Sequence, residues 1–430
     1  MGKDTKNTRK TNRVEIKNQK QPNQASRNDK TPEEKSGALM DRKARTSARK
    51  MTEVKSVTIS KSVNASKSKT IRPKEEKSMI KATASQQLSV TIDSKTMDKM
   101  LKTEKVEKEK VEKKKWAGEE AAIAWSKKIL NADIVAEYEE IKAIPYSDGR
   151  CITWAAHMQR NRHPDYKCFD DNRIIVQMTK CDYINASKIF VQNFPRDTFL
   201  VQLPKLDTMD ALEEFWSMIF TEQCLNVHVI AHNCELEAGI EKFCAQENGG
   251  FYYANGFFVN TKKVEKTQDR VDCIVELLPQ GCSNSLVVQV YIHTYWKDQC
   301  GPDKFMVVMK SAQMISKNEG DNKPVALVSV KGAGRNATLL ALSIIIGQLN
   351  KNIEPNIKEI VRLIREQRPM AVDTIHLYAS LYMSACWFIK AKMPTGQDEL
   401  HFRLKKFRTK AAAMFNAGKA VSCEETRDGI

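Results

Sequence analysis

The chain has 430 residues and a formal net charge of +17 at pH 7, which leaves room for one large domain or two average ones. Residues 1–115 hold 32 Lys+Arg against 15 Asp+Glu and so carry the whole excess; residues 116–430 balance at 38 of each sign (70 − 32 and 53 − 15). The longest apolar run, Leu339 to Ile346, is too short to span a membrane, and no apolar N-terminal stretch has the outline of a secretory signal.

The basic arm, 1–115, contains no Phe, Tyr, Trp or Cys; the first aromatic residue is Trp116. Such a segment buries too little apolar surface to offset its chain entropy, so disorder is expected, with a solvated transient helix in the Lys/Glu run Leu101–Lys115. Two uses stand open for it: an electrostatic tether to an anionic membrane surface or another polyanion, and a solubilising tail. Without aromatics for base stacking, specific nucleic-acid binding is not expected. Gly2 is followed by Lys6 where a myristoylation signal has Ser or Thr. The 11 cysteines lie between Cys151 and Cys423, odd in number and without a CxxC pair. Reduced thiols in a cytoplasmic protein are expected, peripheral to a membrane or nuclear remaining open, and neither a metal nor another cofactor.

In chain order, "GEEAAIAWSKKILNADIVAEYEEIKAI" reads as one or two amphipathic helices, a lead-in over 116–145. Short β-branched runs follow at Ile174–Met178, Phe199–Leu203, Val227–Ala231, Val271–Leu278 and Leu286–His293. Between the second and third, Asp207–Gln223 is predicted helical, capped by Asp207 or Thr208. "PVALVSVKGAGRNATLLAL" then gives a buried strand (Val325–Val330), a Gly-containing turn (Lys331–Gly334), Arg335 and a buried helix. That sequence of elements builds an anion cradle from backbone N–H groups. Ile357, Ile360, Val361 and Ile364 mark the next helix, with Pro355 near its start, and "DTIHLYASLYMSACWFIKAKM" the last long one. From Pro394, "LHFRLKKFRTKAAAMF" is a basic helix or a loose tail. The expected division is arm 1–115, domain 116–393 and basic tail 394–430. The expected class is α+β, a twisted mixed sheet flanked by helices.

Six stretches, in order from about Arg160 to Lys392, resemble the classical protein tyrosine phosphatase family, most like its nematode single-domain forms. "RNRHPDYKCFDDNRIIV" with "DYINASKI" is similar to the family's phosphotyrosine-recognition loop and following strand. "FLVQLPKLDTMDALEEFWSMI" is similar to its Thr-Gln-x-Pro turn and Asp-Phe-Trp helix, and "LEAGIEKFC" to its Glu-to-Lys loop. "YIHTYWKDQCGP" stands in place of the Trp-Pro-Asp acid loop, "VSVKGAGRNAT" in place of the Cys-containing phosphate loop, and "MAVDTIHLY" in place of the two-glutamine loop. The resemblance implies a Cys thiolate that attacks phosphorus, an Arg that clamps phosphate oxygens with its planar fork, and an Asp that protonates the leaving phenol. Two late glutamines would position water.

The chain departs from that pattern at each step. Ser329 stands in place of the nucleophilic Cys, Val328 of the preceding His, Val330 of a Ser, Lys331 of an Ala, Asn336 of a Ser/Thr and Ala337 of a Gly; Lys297 replaces the acid-loop Pro, while Trp296 and Asp298 remain; Asp373 and Leu377 stand in place of the two glutamines. An unassisted hydroxyl ionises far above a free thiol, whose pKa is about 8.5. The resemblance therefore implies a pseudophosphatase, with Ser329, Asp298, Asp373 and Leu377 as degenerate positions.

For phosphate binding the resemblance points to Arg335, Ser329, Lys331, Gly332 and Gly334. Two readings of Arg335 stand: it holds a phosphate, or it is neutralised by Asp373. For phosphotyrosine recognition it points to His163, Asp165, Lys242 and Trp296. His163 takes the place of a stacking Tyr; Asp165 holds a substrate backbone or is a surface turn residue. Lys242 and Glu237 form an ion pair or are two exposed charges. Asn185, Gln202, Pro204 and Trp216 are expected to maintain the fold, and Cys300 to be an incidental thiol. The expected function is a non-catalytic phosphotyrosine-binding or scaffolding module in signalling, with phosphotyrosine-containing or other signalling proteins as partners. A weakly active phosphatase and an adaptor tethered through the arm are the alternatives.

Overall fold

The computed structural model describes residues 115–236, 239–317 and 322–420, side chains of 413–420 excepted. The expectations for the arm and for Glu237 therefore lie outside the described residues, apart from Lys115.

Nine strands form one mixed sheet: β1 (Arg173–Ile175), β2 (Tyr183–Ile189), β3 (Thr198–Gln202), β4 (Asn226–Ile230), β5 (Gly250–Ala254), β6 (Phe257–Lys266), β7 (Arg270–Pro279), β8 (Leu286–His293) and β9 (Val325–Ser329). Their order across the sheet is β1-β2-β3-β9-β4-β8-β7-β6-β5. The four central strands, β3, β9, β4 and β8, are parallel, and the flanks are antiparallel. β9 comes last in the chain but lies mid-sheet, so every one of its residues is buried. A strand covered on both faces reads as a continuous apolar run, which is why "VALV" carries no polar alternation. Its side chains divide between two cores. Val325 and Leu327 face one, and Ala326 and Val328 face the other.

Helix α1 (Glu119–Lys128) and helix α2 (Ile134–Lys142) make up the lead-in, and α3 (Met209–Thr221) follows β3. Later come α4 (Phe305–Ser316), α5 (Arg335–Asn350), α6 (Ile357–Arg365), α7 (Ile375–Lys392) and α8 (Asp398–Ala420). α3 sends Leu212, Phe215, Trp216 and Ile219 into the second core. The first core is helical: α1 and α2 pack with α4 to α8. Trp125 stacks on Tyr382 at 6.3 Å, and Glu137 of α2 accepts from the hydroxyls of Tyr378 (2.8 Å) and Tyr382 (2.5 Å).

Several sequence expectations shift. Strand β1 is Arg173–Ile175 rather than Ile174–Met178, because Met178 adopts φ 62°, a turn conformation. The β5–β6 hairpin and α4 have no counterpart in the sequence reading; Asn255 at φ 45° turns the hairpin. The last long helix begins at Ile375 behind a Thr374 cap, which leaves Asp373 outside it. Of the two readings for the stretch after Pro394, a basic helix or a loose tail, the structure has the helix, α8. Its Leu400, Leu404, Phe407 and Ala411 are buried, Phe407 lies against Tyr382, and Arg403 Nε donates to Ser126 Oγ of α1 at 3.0 Å. The i, i+4, i+7, i+11 apolar stripe packs despite the basic composition, because Lys405, Lys406 and Lys410 stay exposed. The compact body thus extends beyond residue 393.

Candidate functional site

β9 ends at Ser329, paired with Gln202 of β3 on one side and Ile230 of β4 on the other. The chain then turns through Val330–Gly334 into α5, whose first residue is Arg335. The turn needs glycine at 332: φ is +75°, and a Cβ there would lie 2.6 Å from the Gln202 Cα. Gln202 also ties the recognition segment to the turn. Its Oε1 accepts from the backbone N–H groups of Arg162 (2.8 Å) and His163 (3.2 Å), and its Nε2 donates to the carbonyls of His163 (3.1 Å) and Lys331 (3.2 Å).

Ser329 is buried. Its Oγ accepts from the Gly332 N–H at 3.1 Å and donates to Asn336 Oδ1 at 2.9 Å, while Asn336 Nδ2 donates to the Leu327 carbonyl. Neither partner is a base able to take the hydroxyl proton. Asn336 thus closes a hydrogen-bonded link between the Ser329 hydroxyl and the β9 backbone. Cys168 lies outside this turn: its thiol is buried against the Ala186 carbonyl (3.5 Å) and Ser187 Oγ (3.4 Å) in the recognition segment. Cys300 is buried, and burial pushes its thiol up.

Arg335 is fully enclosed. Its fork is taken by Glu235, Nη1 to Oε2 at 2.6 Å and Nη2 to Oε1 at 2.8 Å; Nη1 also donates to the Trp296 carbonyl at 2.6 Å, and Asp298 Oδ1 is 3.6 Å from Nη2. Burial works against the charge, but Glu235 first, then Asp298 and Asp373, outweigh it and hold the guanidinium protonated. This corrects the sequence reading: the carboxylate that neutralises Arg335 is Glu235, not Asp373. The stretch "CELEAG" offers two glutamates two residues apart, and no feature of the sequence chooses between them.

Lys331 does not lie in solvent. Its Nζ is 2.5 Å from Asp298 Oδ2, beneath the Tyr166 ring. Burial opposes ionisation of Asp298, yet Arg335 and Lys331 hold its carboxyl below the usual range. Asp373 lies against Gly334, where a Cβ would meet its Oδ1 at 2.5 Å. Its Oδ2 accepts from the Tyr166 hydroxyl at 2.7 Å, and its Oδ1 is buried without a protein partner. Burial raises its pKa, only partly offset by the Tyr166 bond. Three carboxylates thus surround two cations.

The recognition residues are less gathered. His163 sits at the rim, held through its backbone by Gln202; burial, then Lys331 and Arg162, keep its imidazole neutral. Asp165 and Lys242 are exposed. Trp296 was expected to face phosphotyrosine; its ring is buried, and Nε1 donates to the Cys300 carbonyl at 2.7 Å, so it anchors the loop instead. Leu377 is buried in the helical core. Asn185 donates to Asn161 Oδ1 at 2.8 Å, the Pro204 carbonyl accepts from Arg162 at 3.2 Å, and Trp216 Nε1 donates to Tyr252 at 2.7 Å. All three brace the fold. Arg368 was missed altogether. Entirely buried, it donates to the Gly332 carbonyl (3.0 Å), Ser187 Oγ (3.2 Å) and Asn185 Oδ1 (2.6 Å), clamping the turn from behind. Among the described residues no cluster of His, Cys, Asp or Glu could hold a metal ion, and no helix is long and apolar enough to cross a membrane.

The sequence profile of the family described as "Protein-tyrosine phosphatase" matches residues 157–387, more than half of the chain. One Caenorhabditis elegans protein named "Putative tyrosine-protein phosphatase" is 29% identical over 55% of this chain and 59% of its own length. A second protein so named from the same organism is 23% identical over 70% of this chain and 66% of its own. Rat tyrosine-protein phosphatase non-receptor type 20 is 26% identical over 58% of this chain and 59% of its own. The chain therefore spans less than two thirds of the length of these relatives. A solved structure described by the words "PTPN18 fingerprint on distinct HER2 tyrosine phosphorylation sites" shares the fold, with a TM-score of 0.55 at 22% identity, over 63% of this chain and 99% of that one.

Proposed function

The chain belongs to the protein-tyrosine phosphatase family, and we propose that it is a catalytically silent member, a scaffolding module that presents the family fold to signalling partners without turning phosphotyrosine over. One observation carries this reading: the residue at the end of β9 is Ser329, its Oγ held between the Gly332 N–H and the Asn336 amide oxygen. A serine nucleophile needs a neighbouring base to remove its proton, and an amide oxygen is not one.

The charges around the cradle favour scaffolding over phosphotyrosine binding. Arg335 is engaged by Glu235 and Lys331 by Asp298, while Asp373 adds a third carboxyl beside Gly334. A phosphate dianion entering here meets like charge.

Turnover of an aryl phosphate by the full chain tests the reading, with Ser329→Ala beside it. Both are expected at the rate of the blank. A rate that Ser329→Ala abolishes would overturn catalytic silence. Thermal unfolding with a phosphotyrosine peptide at pH 7 tests the second part, since a ligand of the native state must raise Tm. No shift is expected; a shift lost in Arg335→Ala would make the domain a phosphotyrosine reader.

A further inference from the structure

Cys234 lies on the short helical turn Asn233–Leu236, and its next residue, Glu235, grips Arg335. It is the one cysteine among the described residues whose side chain is exposed; Cys181 and Cys282 are half-buried and the others are buried. Its Sγ is 2.9 Å from Nδ1 of His232, and the Cys234 backbone N–H points at the same nitrogen from 3.4 Å. Two donors converging on Nδ1 leave that atom as the acceptor, so the ring proton resides on Nε2. His232 is itself fixed in place. Its backbone N–H donates to Glu235 Oε2 at 2.7 Å, and a bridge joins it to Tyr295 in the strand-like segment after β8.

We propose that Cys234 and His232 form a reactive thiol–imidazole pair, a modification site at which hydrogen peroxide oxidises the Cys234 sulfur. The imidazole takes the thiol proton on Nδ1, and the resulting thiolate attacks one peroxide oxygen. An S–O bond forms as the O–O bond breaks. The departing hydroxide takes the proton back from the imidazolium and leaves as water. The sulfur loses two electrons, ending as a sulfenic acid, and the peroxide gains them. The geometry meets the needs of this chemistry: an accessible sulfur and a proton acceptor in contact with it. Partial burial keeps His232 neutral near pH 7, the form that accepts a proton. Glu235 and Asp303 pull its pKa up, and Lys297 and Arg335 pull it down. The site is independent of the serine at position 329, so it stands whether or not the cradle is silent.

The test is competition between thiols in the full chain. The protein is exposed to limiting hydrogen peroxide at pH 7, sulfenic acids are trapped with dimedone, and peptides are mapped by mass. Cys234 is expected to be labelled well before Cys181 and Cys282. His232→Gln keeps a hydrogen-bond acceptor beside the sulfur but removes the base, and should slow Cys234 labelling by roughly tenfold or more. Labelling of Cys234 no faster than that of Cys282, or a rate unmoved by His232→Gln, overturns the proposal. If that variant fails to fold, the pH profile of the unmodified sequence decides. A Cys234 rate that persists below pH 7 while that of Cys282 falls supports the pair. Parallel decline of the two overturns it.

Discussion

Two buried arginines lie at the turn after β9, and their partners differ in kind. Arg368 is entirely buried and donates only to neutral acceptors: a carbonyl, a hydroxyl and an amide oxygen. Arg335, equally enclosed, is held by a carboxylate fork and lies near a second carboxylate. The first is a peg that shapes the turn. The second balances charge against the carboxylates of Glu235 and Asp298.

The comparison predicts different responses to removing each cation. Arg335→Met strands Glu235 and leaves Asp298 with Lys331 alone, and breaking a buried pair from one side costs about 3–5 kcal/mol. Because Glu235 keeps some contact with water, the low end, about 3 kcal/mol, is expected at pH 7 by denaturant unfolding. The loss should shrink with acid. Asp298, whose folded pKa is depressed, contributes stability present above its unfolded value of about 3.9 and lost as pH falls through the folded value. A loss unchanged between pH 7 and pH 3 would break the contrast.

Arg368→Met keeps volume and strands neutral acceptors, each worth about 1–3 kcal/mol when left unsatisfied. Removing the buried charge offsets part of this, so about 2 kcal/mol is expected, without pH dependence between 7 and 4. A strong pH dependence would show that Arg368 also answers to a carboxylate.

A smaller effect, of opposite sign, is expected at Asp373. A carboxyl with a raised folded pKa favours the fold only while protonated, below its unfolded value, and that contribution is lost as pH rises through the folded one. At pH 7 Asp373→Asn should therefore stabilise, by about 1 kcal/mol, because it spares an unpartnered buried oxygen its charge. The gain should vanish as pH approaches 4; a destabilised variant at pH 7 would show that the Tyr166 bond matters more than the charge.

The least change is expected from Ser329→Cys. The new thiol would gain from the turn amides and Arg335, but Val328, Asn336, Asp373 and Leu377 remain. At most one phosphate per chain should be transferred from an aryl phosphate, read as a burst without turnover. Sustained turnover would show that the late-loop replacements are harmless.

Much of the site was legible because the elements that carry it are local. Strand, turn and helix around Ser329 follow from an apolar run, a glycine at a left-handed position and a second apolar run. Each residue's neighbours there are set by its own backbone. The apolar run of β9, with no alternation, signalled a buried strand. That α8 packs on the body was obscured because its stripe of Leu400, Leu404, Phe407 and Ala411 is narrow among lysines and arginines. The β5–β6 hairpin lacked a run of β-branched residues.

The sequence by itself determined the family, the serine at the nucleophile position and the survival of Arg335, since each is a matter of residue identity at a place in a motif. Only the tertiary structure decided which carboxylate each cation meets. Glu235 reaches Arg335 across 100 positions of chain, and Lys331 meets Asp298 across 33. Those pairings depend on how β4, the loop after β8 and α5 come together. Coulomb energy follows distance in space, which separation along the chain does not fix.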